Sequence, residues 1–121
     1  MDFEFFGKGH HQIAPQPFLE QREAIIVDLR SDEEVALLPI RMERTVKTIH
    51  IPLHKLPDRL EEIPADIPVG LFCSADTRSA MALAYLRSHG YTNARILAGG
   101  YQSLVEELKP GRLFKRLQST D

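Results

Sequence analysis

Val69-Gly70-Leu71-Phe72-Cys73-Ser74-Ala75-Asp76-Thr77-Arg78-Ser79 is an apolar run that stops at a cysteine, turns through a short polar loop and enters an Ala/Leu-rich stretch ending at His89. The order predicts a buried strand, a tight loop and a helix from Ser79 to His89. Cys73 is the only cysteine in the 121 residues. A strand–loop–helix order delivers its sulfur to the positive end of the following helix. Unpaired backbone N–H groups and the helix dipole favour an anion there. The anion that fits is a thiolate, the reactive form of cysteine. A helix end contributes about 0.3–1 kcal/mol, or up to about 2 when partly buried. Arg78 and the loop N–H groups are expected to add to that. The competing reading is a structural cysteine, because cysteine is among the most buried residue types. The strand, loop and arginine around Cys73 favour the reactive one.

Outward from this loop, apolar runs alternate with amphipathic stretches, which predicts an α/β domain. Ala24 to Leu29 reads as a buried strand, apolar almost throughout, as parallel central strands are. Ser31 caps a helix that begins Asp32-Glu33-Glu34 and is ended by Pro39. Thr48 to Ile51 is the next strand. His54 to Ile63 has helical spacing at Leu56, Leu60 and Ile63, with Pro57 in the first turn. Arg95 to Leu97 follows as a strand and Tyr101 to Leu108 as a helix. Gly90 is placed to stop the helix after the loop as a left-handed cap. Phe3 to Phe6 is expected as a short edge strand, and Gly7 to Pro17 as an irregular connection. The division is an N-terminal extension at 1–23, one domain at 24–111 and a tail at 112–121.

The segment Ile25-Ile26-Val27-Asp28-Leu29-Arg30, with Ser31-Asp32-Glu33-Glu34 behind it, resembles the opening strand and helix start of the rhodanese-like (sulfurtransferase) domain family. Ile49-His50-Ile51-Pro52-Leu53 is similar to that family's second strand. Cys73 through Arg78-Ser79 resembles its Cys-x-x-x-x-Arg-Ser loop. Gly90-Tyr91 and Gly99-Gly100-Tyr101 look like its closing segments. The resemblance implies a single α/β domain with a mainly parallel central sheet and helices on both faces. It also implies a chemistry: Cys73 accepts sulfane sulfur as a persulfide and passes it to a thiol or a cyanide-type acceptor. The loop Ser74, Ala75, Asp76, Thr77, Arg78 and Ser79 would hold the anionic species. The implied partners are a small sulfur donor or persulfidated protein and a thiol acceptor. No cofactor is implied. Related phosphatases of this fold place one more residue between cysteine and arginine, so four residues here argue against phosphate chemistry.

Asp28, Arg30 and Cys73 all fall at carboxyl ends of strands, where open α/β sheets collect ligands. Asp28 would orient loop groups and Arg30 attract an anionic donor, or the two would form a pair that fixes the first helix; the structural role is favoured. Ser79 is balanced between donating its hydroxyl to the loop or sulfur and acting as an ordinary helix cap. Asp76 departs from the family's glycine. A carboxylate roughly 5 Å from a thiolate costs about 3 kcal/mol at an effective dielectric of 20. Asp76 is therefore expected to face solvent or a neighbouring donor, and to disfavour thiosulfate. The altered lead-in Glu43-Arg44-Thr45-Val46-Lys47-Thr48 supports an alternative, a catalytically weak rhodanese-like binding or regulatory module. Tyr101 stands where the family often has tryptophan.

Composition bounds the rest. Hydrophobic residues make up 43% of the chain and the net charge is −2, which suits one domain and gives nucleic-acid binding no support. The cluster Arg112, Lys115 and Arg116 reads as a solvated tail. No apolar run reaches the ~20 residues a bilayer requires. The start Met-Asp-Phe-Glu-Phe-Phe lacks a leader's basic region, and a lone cysteine fits a reducing compartment, so a cytoplasmic location is expected. Five histidines lack zinc-type spacing, and no metal is expected.

Overall fold

Ile25-Ile26-Val27 and Val69-Gly70-Leu71-Phe72 are too apolar to face water on either side, and both become fully buried strands. The structure, a computed structural model, describes residues 8–39, 46–74 and 76–107, with the backbone alone at Asp76. In chain order these form β1 (Gln12–Ile13), α1 (Pro15–Leu19), β2 (Ile25–Asp28), α2 (Asp32–Leu37) and β3 (Lys47–His50). Two 3-10 segments follow, Leu53–Lys55 and Pro57–Glu62. Then come β4 (Val69–Phe72), α3 (Asp76–Ser88), β5 (Ala94–Leu97) and α4 (Gly100–Glu107). The strands make one sheet in the order β1-β5-β4-β2-β3, every pairing parallel. Asp28 is level with both Phe72 and His50. Cys73 therefore leaves the middle strand of the sheet, beside the end of β2, with β3 one strand further out.

The two-residue period of a strand sorts the core. Ile25, Val27, Leu29, Val69, Leu71 and Cys73 pack with Ala82, Leu83 and Leu86 of α3 and with Leu56 and Ile63. Ile26, Phe72 and Leu97 pack on the other side with Phe18 and Leu19 of α1 and Leu104 of α4. Gly70 keeps that second face open: a Cβ there would lie 2.8 Å from the Phe18 ring and 3.0 Å from Leu97. Phe18 and Leu19 are thus part of the core although they precede residue 24.

Three local expectations change. The segment 7–17 is not wholly irregular. Ile96 donates to the His11 carbonyl and Ala98 to that of Ile13, at 2.8 and 2.9 Å, so β1 becomes an edge strand, and a proline in the first turn starts α1. The stretch 54–63 forms 3-10 turns rather than an α-helix. Pro57 has no N–H for a continuous ladder, and Tyr91 Oη holds the carbonyls of Leu60 and Ile63, while Asn93 Nδ2 holds those of Pro64 and Ile67 in the turn that follows. Finally α3 begins at Asp76, not Ser79, so Arg78 lies in its first turn. Gly90 does stop α3 with φ at 87°. The expected strand at 3–6, the tail at 112–121 and the stretch 43–45 lie outside the described residues. Among the described residues no helix is long and apolar enough to cross a membrane.

Candidate active site

The end of β4 carries Cys73 into the core face shared with α3, where only 1% of it is exposed. Six residues on, Ser79 is equally buried, and its hydroxyl donates to Cys73 Sγ at 3.2 Å. Because α3 starts at Asp76, Ser79 is inside the helix and not its cap. Its side chain instead supplies a donor to the sulfur, which a lone pair on a thiol or thiolate accepts.

Above the sulfur the loop is held by a residue from another element. Ser31 and Glu34 form a capping box at the start of α2, the reciprocal arrangement that Ser-x-x-Glu encodes. The same Glu34 carboxylate also reaches across to the loop. It accepts from both Nη atoms of Arg78, with Nη2 at 2.7 Å from Oε2. Ser74 Oγ donates to Oε2 at 2.8 Å. Two parallel N–H···O bonds are the fork geometry that fixes both partners. The Arg78 fork, the Ser31 N–H and the Ser74 hydroxyl hold the Glu34 carboxyl well below the usual carboxylate range. In return Glu34 raises the Arg78 guanidinium above its ordinary value, with smaller contributions from the charges of Cys73 and Asp28.

The second arginine of the region is arranged differently. Arg30 is 1% exposed. Its Nε and Nη2 donate to the Asp28 carboxylate at 3.0 and 2.9 Å, and its Nη1 donates to the Leu38 carbonyl at 2.6 Å, beyond the end of α2. The guanidinium lies 5.0 Å from the Phe72 ring centre and 5.7 Å from that of Tyr101, on the opposite core face from Cys73. Tyr101 therefore supplies the aromatic surface expected after the paired glycines. His50 Nε2 lies 2.7 Å from the Arg30 carbonyl.

Gly100 closes the back of the loop. With φ at 59° it lets the start of α4 press on the Cys73–Ser74 backbone, and a Cβ there would lie 2.7 Å from the Ser74 carbonyl oxygen.

Ser79 is thus joined to Cys73 by one hydrogen bond, and Ser74 and Arg78 to Glu34 by three. Thr77 is exposed. Asp28 and Arg30 pair with each other and brace α2. Ala75 and the Asp76 side chain, with its expected orientation, lie outside the described residues. Glu34, which ties the loop to α2, is the candidate site residue that sequence reading missed. Its capping-box spacing was present at Ser31-x-x-Glu34, but nothing local marks a partner 44 residues away. No group of three or more His, Cys, Asp or Glu able to hold a metal occurs among the described residues.

The sequence pattern of the rhodanese-like domain matches residues 16–107. This chain belongs to the rhodanese-like domain family. It is 32% identical over 87 residues to a sulfurtransferase of Allochromatium vinosum, covering 70% of this chain and 75% of that one. It is 31% identical over 93 residues to the thiosulfate sulfurtransferase GlpE of Ectopseudomonas mendocina, covering 75% and 81%. Among solved structures, the human single-domain sulfurtransferase TSTD1 superposes with a TM-score of 0.65 at 28% identity, covering 82% of this chain and 98% of that one. The rhodanese-like domain is a single α/β unit with a five-stranded parallel sheet, as the resemblance implied.

Proposed function

We propose that this rhodanese-like protein is a sulfurtransferase that carries sulfane sulfur on Cys73 and passes it to a thiol or a cyanide-type acceptor. The observation that carries the reading is the Ser79 hydroxyl on Cys73 Sγ, in a loop clamped by the Arg78–Glu34 fork. A donor hydrogen bond to Sγ stabilises the Cys73 thiolate, which is the nucleophile in loading and the leaving group in unloading. In the loading step the Cys73 thiolate attacks the outer sulfur of the donor. A new S–S bond forms, the donor's S–S bond breaks, and the leaving group departs with the bonding pair. In the unloading step the acceptor attacks the outer sulfur of the Cys73 persulfide and restores the thiolate. The transfer is redox-neutral and needs no cofactor. Sulfurtransferase activity in the named relatives supports this class of reaction. A reducing, cytoplasmic setting suits a chain with one cysteine.

The test is intact-protein mass spectrometry after incubation with thiosulfate or a small persulfide, for wild type and Cys73→Ser. The expected result is the gain of one sulfur by wild type alone, removed by cyanide. A folded wild type that gains no sulfur from either donor overturns the reading in favour of a binding or regulatory module.

A further inference from the structure

The arginines described at the carboxyl end of the sheet are each paired with a carboxylate. Arg30 holds Asp28, and Arg78 holds Glu34. Arg59, which donates to the His50 carbonyl at the end of β3, holds Glu62 at 2.7 and 2.8 Å. Asp32 and Glu33, exposed in the first turn of α2, bring further negative charge to this end, against Lys55 on the turn after β3. Glu34 is the partner that matters for a donor, because it also binds Ser74 beside the cysteine. A dianion approaching Cys73 meets an arginine whose charge is already neutralised and whose fork is already filled. A donor without strong negative charge loses nothing by this.

We infer that Glu34 determines donor specificity, turning the Cys73 site away from dianionic thiosulfate and toward persulfides whose carrier bears no strong negative charge. The inference rests on the sulfur-carrier reading. Both donors obey the same chemistry. With thiosulfate, attack on the outer sulfur releases sulfite with the bonding pair. With a persulfide R–S–SH, attack on the terminal sulfur releases the thiolate R–S⁻, and the proton stays on the transferred sulfur. Only the charge of the donor differs.

Single-turnover loading of Cys73 on the full chain, read by mass, tests this with thiosulfate and with a small alkyl persulfide lacking any acid group. Wild type is compared with Glu34→Gln, since glutamine preserves the capping box while removing the charge. The readout is the ratio of the two rates, which cancels any general slowing. Glu34→Gln is expected to raise the thiosulfate-to-persulfide ratio on the order of tenfold. In wild type, the thiosulfate rate is expected to be nearly indifferent to salt. An unchanged or lowered ratio overturns the inference, as does a wild-type thiosulfate rate that falls steeply with salt. Either result leaves the carrier reading standing as long as one of the two donors loads Cys73. Loading by neither donor overturns both.

Discussion

Two arginine–carboxylate pairs sit at the same end of the sheet and do different work. Asp28 and Arg30 are two residues apart, on one strand end, and fully enclosed between Phe72, Tyr101 and the carbonyl of Leu38. Glu34 and Arg78 are 44 residues apart, on different helices, with side chains 32% and 31% exposed. The first pair is a brace. Its charges are out of water, so each partner is indispensable to the other. The second pair is a clamp on a loop, open to solvent and therefore worth little to stability. Its weight falls on geometry, since it fixes where Ser74 and Arg78 stand over Cys73. The same ionic chemistry thus serves stability in one place and positioning in the other, and burial decides which.

The sharpest way to break this contrast is Arg30→Met. It leaves Asp28 charged and enclosed, and should lower the unfolding free energy by about 3–5 kcal/mol, measured by urea denaturation. A loss under about 1 kcal/mol would mean that water reaches Asp28 and that the brace is not closed. Arg78→Met should behave in the opposite sense, costing about 1 kcal/mol or less in stability while slowing sulfur loading of Cys73 at least roughly tenfold. Equal losses of stability in the two variants would erase the distinction. The smallest effect is in the acid response. Glu34 has its folded value depressed by the Arg78 fork, so its contribution is fully present above the unfolded value of 4.5. It fades as pH falls below that, because the unfolded chain then takes up a proton the folded chain does not. Glu34→Gln should flatten this part of the stability–pH curve by up to about 1 kcal/mol; an unaltered slope would show that other carboxylates produce it.

The contrast also marks what could be read without coordinates. The buried strands β2 and β4, the Ser31 cap and the Gly90 stop follow from composition and local backbone rules. So did the structural preference for Asp28 and Arg30, because residues two apart beyond a strand end have few other places to pair. Errors arose where a local signal met a tertiary competitor. Helical spacing at 56, 60 and 63 described which side chains turn inward, but Pro57 lacks an N–H, Arg59 leaves helical geometry, and Tyr91 binds the Leu60 and Ile63 carbonyls, which leaves 3-10 turns. Sequence alone leaves Ser79 evenly between a cap and a donor to the sulfur; the structure makes it the donor, because α3 starts at Asp76, a start that apolar periodicity does not mark.

The sequence by itself determined the alternation of strand and helix, the cysteine at the end of an apolar strand and the four-residue spacing to Arg78, since these depend on neighbours along the chain. Only the tertiary structure decided that Glu34 caps one helix and clamps the loop before another, and that Ser79 faces the sulfur. It likewise decided that Gly100 seats α4 against the Cys73–Ser74 backbone. Those contacts join segments tens of residues apart, and parallel strands with helical crossovers are what bring them to one end of the sheet.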